Sequence, residues 1–131
     1  MKFLLLMILL LGFMILGGNL TPNTAARAPE KESAMVEFVD QVKLGKVLLK
    51  GQYWIVHDED KMQQGEDCTY IYSIKAGESK RLVTSFHCTP VERREVDRFT
   101  ISTSPIRIAD KLSEVTEIQF AGSSVAHVVP K

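Results

Sequence analysis

The sequence predicts a small all-β domain, an antiparallel β-sandwich or open barrel of six to seven short strands, behind an N-terminal signal segment. Three observations lead there. Short runs rich in Val, Ile, Phe, Tyr and Thr recur from residue 34 to residue 131, and such residues fit a half-buried pleated surface. Turn formers interrupt those runs at short intervals, as at Gly45, Gly51, Gly77, Pro90, Pro105 and Gly122, which is the punctuation of a sandwich or barrel. Residues 68–88 also read as one complete hairpin, with two β-rich arms around a loop that holds Gly77 and Ser79.

The chain opens with Lys2 and an apolar run over residues 3–16, the basic start and hydrophobic centre of a secretory signal. Residues 1–26 are expected to be a signal peptide cut after Ala26, with cuts after Gly18 or Ala28 as alternatives. The rival is an uncleaved membrane anchor, since residues 3–20 approach the length of about 17 residues that spans a bilayer. Both readings export the rest of the chain to the periplasm or the exterior, and touch membrane only through this segment. No Cys follows the apolar run, so a lipid anchor is not indicated. Residues 27–33, with Pro29 and mixed charge, read as a flexible leader. Residues 34–131 then form a single β domain, large enough for a modest core.

Lys plus Arg and Asp plus Glu each number 16, and every acidic residue lies beyond Pro29. Loss of Lys2 with the signal, joined by Arg27 where the cut falls after Ala28, leaves a mildly acidic domain. Nucleic acid needs a basic face, and the one basic cluster, Arg93-Arg94 with Arg98, is broken by Glu95 and Asp97. Nucleic acid is therefore not an expected partner.

In chain order, residues 34–42 fit a helical face as well as a strand. The β character downstream favours a strand. Gly45-Lys46 is expected to make a tight turn, and Gly51-Gln52 a second one into a strand over residues 53–57. A polar connection follows, His57 to Asp67. Its acidic run lacks the Asp-x-Asp-x-Asp-Gly spacing of a calcium loop and reads as a solvated turn.

In the hairpin, a turn centred on Glu78 sets Ile74 opposite Leu82, Tyr72 opposite Thr84, Tyr70 opposite Phe86, and Cys68 opposite Cys88. Side chains alternate along a strand. One face then collects Cys68, Tyr70, Tyr72, Ile74, Leu82, Thr84, Phe86 and Cys88, and this more apolar set is expected inside. Pro90 should end the ladder or mark an edge strand. Residues 97–103 read as a strand, 102–105 as a loop, 106–112 as a short helix or irregular strand, and 114–120 and 125–129 as strands.

Gly45-Lys46, Leu48, Gly51, Tyr53 and Ile55 resemble a Gly-Lys-x-Leu-x-x-Gly-x-Tyr-x-Ile segment of uncharacterised small exported bacterial all-β proteins. Leu49-Lys50 stand where that pattern has Pro-Ala. The resemblance continues into residues 119–123. It implies an exported, all-β, non-catalytic protein, and it brings no active-site residues with it.

Candidate chemistry rests on few residues. Cys68 and Cys88, paired by the hairpin register in an exported chain, are expected to form a disulfide. His57, His87 and His127 are the histidines of the chain, each on or beside a strand. If their strands adjoin, they make a copper or zinc site; otherwise they are ordinary half-buried or surface histidines, and no metal or other cofactor is expected. A site of Cys68, Cys88 and His87 is disfavoured by parity, since His87 and Cys88 point to opposite faces. A Ser85, His87 and acid triad lacks both reach and a Gly-x-Ser-x-Gly elbow. The carboxylates Asp58, Glu59, Glu66 and Asp67 sit in one polar loop without an apolar pocket. Trp54 with Tyr53, Tyr70 and Tyr72 fits core packing better than a ligand platform.

No catalytic residue is expected. The leading expectation is an exported non-catalytic binding or structural module of the cell envelope, partnered by an unidentified envelope protein or polymer. The alternative is an exported transition-metal domain using His57, His87 and His127, and a weaker one is an envelope hydrolase.

Overall fold

Two long strands start the domain. In a computed structural model that describes residues 31–131, β1 (Lys31–Leu44) turns through Gly45 and Lys46 into β2 (Val47–Asp58). Gly45 sits at φ 57°, a left-handed conformation that glycine adopts without a Cβ penalty. The expected signal peptide, residues 1–26, lies outside the described residues, as does the leader up to residue 30. Residues 31–33 of that leader already belong to β1, where Glu32, Ala34, Val36 and Phe38 form the inward row.

Gly51 does not turn the chain, as the sequence suggested. It stays within β2 at φ 94°, where the β1–β2 register shifts between Phe38 and Val42. β1 spends three residues, 39–41, against Lys50 alone. Such a bulge bends its strand and sharpens the local twist. The first two strands are therefore long and bent rather than short.

A one-turn helix α1 (Glu59–Gln63) follows, capped by the Asp58 side chain on the backbone N–H of Lys61. Then come β3 (Thr69–Ser73), β4 (Arg81–Phe86), β5 (Thr89–Glu92), β6 (Thr100–Arg107), β7 (Leu112–Gln119) and β8 (Val125–Val128). The fold is all-β, as expected, with eight strands among the described residues. Residues 102–105, expected as a loop, belong to β6, and the turn falls at residues 108–111.

The strand order is β4-β3-β2-β1-β7-β8-β5, with β6 on the free edge of β7. Pairing is antiparallel except for a two-residue parallel contact of β1 with β7, Val42 to Ser113 and Lys43 to Glu114. Pro90 lies in the terminal strand β5, an edge position that tolerates its missing N–H. The two ends of this order, β4 and β5, are joined by His87 and Cys88 alone. Three Cα steps span at most about 11 Å, so the sheet must curl until its ends approach. The result is an open barrel, curled around Leu44, Leu49, Ile55, Ile71, Val115 and Ile118, each at most 1% exposed.

The β3 face departs from expectation. Its partner β2 sets Ile55 opposite Ile71 and His57 opposite Thr69, and directly opposed residues share a face. Thr69 and Ile71 therefore point inward with the β2 core row. Tyr70 and Tyr72 point outward, where Tyr72 stacks on Trp54 at 5.6 Å under the Lys80 ammonium. The β3–β4 register is accordingly Thr69 to Phe86 and Ile71 to Thr84, with a shift before Tyr72 meets Leu82. This corrects the expected facing of Tyr70 with Phe86. Tyr53 alone of the four aromatics is buried in the core.

Candidate metal centre

The curl brings together residues that are far apart in sequence and in sheet order. His57 closes the inward row of β2, and His127 lies on β8, which pairs with β5 and β7 and not with β2. The two rings lie 3.9 Å apart between centroids. Phe120 packs against both, at 6.2 Å from His57 and 6.1 Å from His127. Cys88 enters from the short β4–β5 link, the point where the ends of the sheet approach. Each of the three residues is at most 1% exposed.

The polar atoms converge on the sulfur of Cys88. His127 Nδ1 is 3.4 Å from Cys88 Sγ, and His57 Nδ1 is 3.8 Å from it. One ligand atom from each of His57, Cys88 and His127 falls within 4.8 Å of the others. In a tetrahedral site with metal–sulfur bonds of about 2.3 Å and metal–nitrogen bonds of about 2.0 Å, sulfur and nitrogen donors stand about 3.5 Å apart. The observed pair of distances brackets that value. Cys68 Sγ lies 3.1 Å from Cys88 Sγ, and Met62 Sδ, on α1, lies 3.8 Å from it. The corner thus collects two imidazoles, two thiols and a thioether, the soft and borderline donors preferred by copper(I) and zinc.

The far side of each imidazole faces a carboxylate. His57 Nε2 is 3.4 Å from Glu59 Oε2, and His127 Nε2 is 3.9 Å from Glu32 Oε2. A metal-bound histidine commonly turns its second nitrogen to a carboxylate, which fixes the tautomer and raises ligand basicity. His57 Nδ1 also lies 3.3 Å from the Thr69 hydroxyl. His127 Nε2 is buried and has no hydrogen-bond partner, a costly state for a polar atom in a core.

Electrostatics keep the centre neutral without a metal. Burial lowers the His57 pKa, against the upward pull of Glu59 and Asp58. Burial first, and then the neighbouring His57, lowers His127 to about 4. Burial pushes the Cys88 thiol up to about 12, with Cys68 adding to the rise. Glu32 is also raised, by burial and then by Glu59. Neutral imidazoles are ready ligands, whereas the thiol must release its proton to solvent as the cation binds.

Of the expected metal triad, the structure unites His57 and His127 and leaves His87 out. Strand parity turns His87 to solvent, where its Nδ1 meets the Glu66 carbonyl at 2.8 Å. Cys88, on the opposite parity, takes its place. The expected disulfide partners are adjacent, but Cys68 and Cys88 are free thiols; their 3.1 Å separation exceeds the about 2.05 Å of a disulfide. The serine triad disfavoured from the sequence does not form: the Ser85 hydroxyl donates to Asp67 Oδ2 at 2.7 Å, and His87 Nδ1 meets the Glu66 carbonyl. Asp58 caps α1 and lies 3.6 Å from Lys31 Nζ.

Sequence reasoning weighed Cys88 only with Cys68 and His87, and missed it as a partner of His57 and His127; Met62 it missed altogether. One signal was present. His57 extends the apolar row Tyr53, Ile55, and His127 shares a row with Val125 and Val129. A polar residue continuing an inward row must be satisfied by something inside. Among the described residues no helix is long and apolar enough to cross a membrane. No protein-family model, curated protein or solved structure matches the chain.

Proposed function

We propose that this chain is an exported, non-catalytic binding module whose ligand is a single thiophilic d10 transition-metal ion, zinc(II) or copper(I). His57, His127 and Cys88 supply the first three donors. The observation that carries the reading is the pairing of roles on each histidine: Nδ1 toward one shared sulfur, Nε2 toward a carboxylate. A neutral hydrogen-bonded cluster needs no such arrangement on both rings, and it leaves His127 Nε2 without a partner. Metal binding polarises that N–H and draws the Glu32 carboxylate toward it.

The ion serves as structural ligand or cargo. The donors are buried under α1 and Phe120, which leaves little room for a substrate beside them. Under this reading the module works in the envelope or outside the cell, a setting supported by the basic start and apolar run of residues 2–16.

Metal content decides the matter. Protein spanning residues 27–131, reduced and reconstituted with zinc(II) or copper(I), should retain about one equivalent after desalting. The His57→Ala and His127→Ala variants should retain far less, and His87→Ala as much as the parent. Absence of bound metal from the reduced, folded parent protein overturns the proposal.

A further inference from the structure

Cys68 has no necessary place in a three-donor site, yet its sulfur is held against the sulfur that the site requires. Its backbone is fixed on both sides: Cys68 N–H donates to the Phe86 carbonyl at 3.0 Å, and the Cys68 carbonyl accepts from Asp58 N–H at 2.8 Å. The backbone N–H of Cys88 points at Cys68 Sγ at 3.4 Å. The sulfurs stand 3.1 Å apart, so a bond of about 2.05 Å needs a movement of only about 1 Å. Cys88 rides on the two-residue link between β4 and β5, outside both ladders.

From this geometry we infer that Cys68 and Cys88 form a thiol–disulfide switch on the metal centre: as thiols they leave Cys88 free to bind the ion, and as a disulfide they evict it. The inference rests on the metal-binding reading above and deepens it by naming its regulation. The exclusion is chemical. A thiolate is the ligand form of cysteine, and a disulfide sulfur carries no negative charge. The same Cys88 sulfur therefore serves one role at a time.

The step balances with a small disulfide as oxidant. Cys68 and Cys88 give up two protons and two electrons. One S–S bond forms between them, the S–S bond of oxidised glutathione breaks, and its two sulfurs become thiols. Where an ion is bound, Cys88 has already released its proton, so one proton comes from the solvent to the second glutathione thiol and the ion leaves as the hydrated cation. Linkage runs both ways, because metal binds only the reduced state. Each tenfold rise in free metal above the dissociation constant makes the apparent reduction potential of the pair about 30 mV more positive.

In an oxidising compartment the order of events then matters. A chain that meets its ion first is held in the thiol form, and one oxidised first is held empty until reduced.

The test uses protein spanning residues 27–131, equilibrated in reduced and oxidised glutathione, desalted under argon, and titrated with zinc(II) against a chromophoric chelator. Mass spectrometry reports loss of two hydrogens for the disulfide. Reduced protein should bind about one zinc, and disulfide-bonded protein should bind at least 100-fold more weakly, as for loss of an essential ligand (about 2.7 kcal/mol at 1.36 kcal/mol per tenfold). The Cys68→Ser variant, whatever its affinity, should bind equally after either treatment. Equal zinc affinity of the confirmed disulfide and dithiol forms overturns the switch and leaves the metal site standing. Failure of any disulfide to form at full oxidation does the same, as does a Cys68→Ser protein that still responds to oxidation. Absence of zinc binding in the reduced parent overturns both readings together.

Discussion

The inside of this barrel has two unlike halves. One half is apolar: Leu44 and Leu49 flank the Gly45 turn, and Val115 lies on β7 two residues past the Val42–Ser113 pair. The other half is polar and assembled from distant segments: His57, Cys68, Thr69, Cys88 and His127, each at most 1% exposed. Apolar packing explains itself, since burial of each such side chain contributes roughly 1.5–3 kcal/mol. The polar half does not. Its groups give up hydration, and His127 Nε2 receives no hydrogen bond in return. A domain this small tolerates such a cost where the groups have a use, and the orientation of both rings about one sulfur suggests what that use is.

The sharpest contrast lies in what substitution does to each half. Replacing a proposed metal ligand in the polar half, His57→Ala or Cys88→Ser, should cost metal affinity by well over 100-fold, more than the about 10–100-fold typical of groups behind the ligands; competition titration measures it. Replacing a core side chain in the apolar half, Leu49→Ala or Ile55→Ala, should lower folding stability by about 2–5 kcal/mol, with or without metal. Urea unfolding of apo and loaded protein separates the two. Equal stability losses in both halves, with no selective loss of affinity, would erase the distinction.

Acid should also act on one half alone. In the metal-free protein His127 titrates near 4 when folded, against an ordinary value of 6.5 when unfolded. The folded pKa is depressed, so below about 6.5 the unfolded chain takes up a proton that the folded chain refuses. Stability is therefore fully present above 6.5 and falls between about 6.5 and about 4, by on the order of 3 kcal/mol. His57, lowered in the same direction, adds to the loss. His127→Leu should flatten this part of the profile, and it should leave apo stability at neutral pH within about 1 kcal/mol of the parent, because it removes an unpartnered buried nitrogen. An unchanged acid profile in that variant would contradict the assignment.

Smaller effects sharpen the comparison. Glu59→Gln keeps the shape at His57 Nε2 but removes the charge, and should weaken metal binding by about 10–100-fold with little change in apo stability. On the outer face, Lys80→Ala removes the cation above Trp54 and should cost about 0.5–1 kcal/mol, leaving metal affinity untouched.

Much of the frame was legible from residues alone. Pro90 pointed to a ladder end or an edge strand, parity separated His87 from Cys88, and Cys68 and Cys88 are adjacent as expected, although both lie outside a ladder that runs one residue off the expected register. Each follows from local rules of strand geometry. The inside of β3 was not legible, because the hairpin was read without its neighbour: β2 places Ile55 opposite Ile71 and keeps Trp54 with Tyr72 outside. The site was not legible for a related reason. His57 and His127 meet only because the bulge at residues 39–41 bends β1 and the two-residue β4–β5 link draws the ends of the sheet together. Strand order and curl are long-range properties, and no spacing of histidines in one dimension encodes them.

Cobalt(II) titration of the reduced protein examines the shared sulfur most directly, because cobalt stands in for zinc and reports its ligands by absorption. The geometry predicts saturation at about one equivalent, with a tetrahedral visible spectrum and a thiolate-to-cobalt charge-transfer band that is lost in Cys88→Ser. A spectrum of hydrated octahedral cobalt throughout the titration, from protein shown to be folded and reduced, would contradict it.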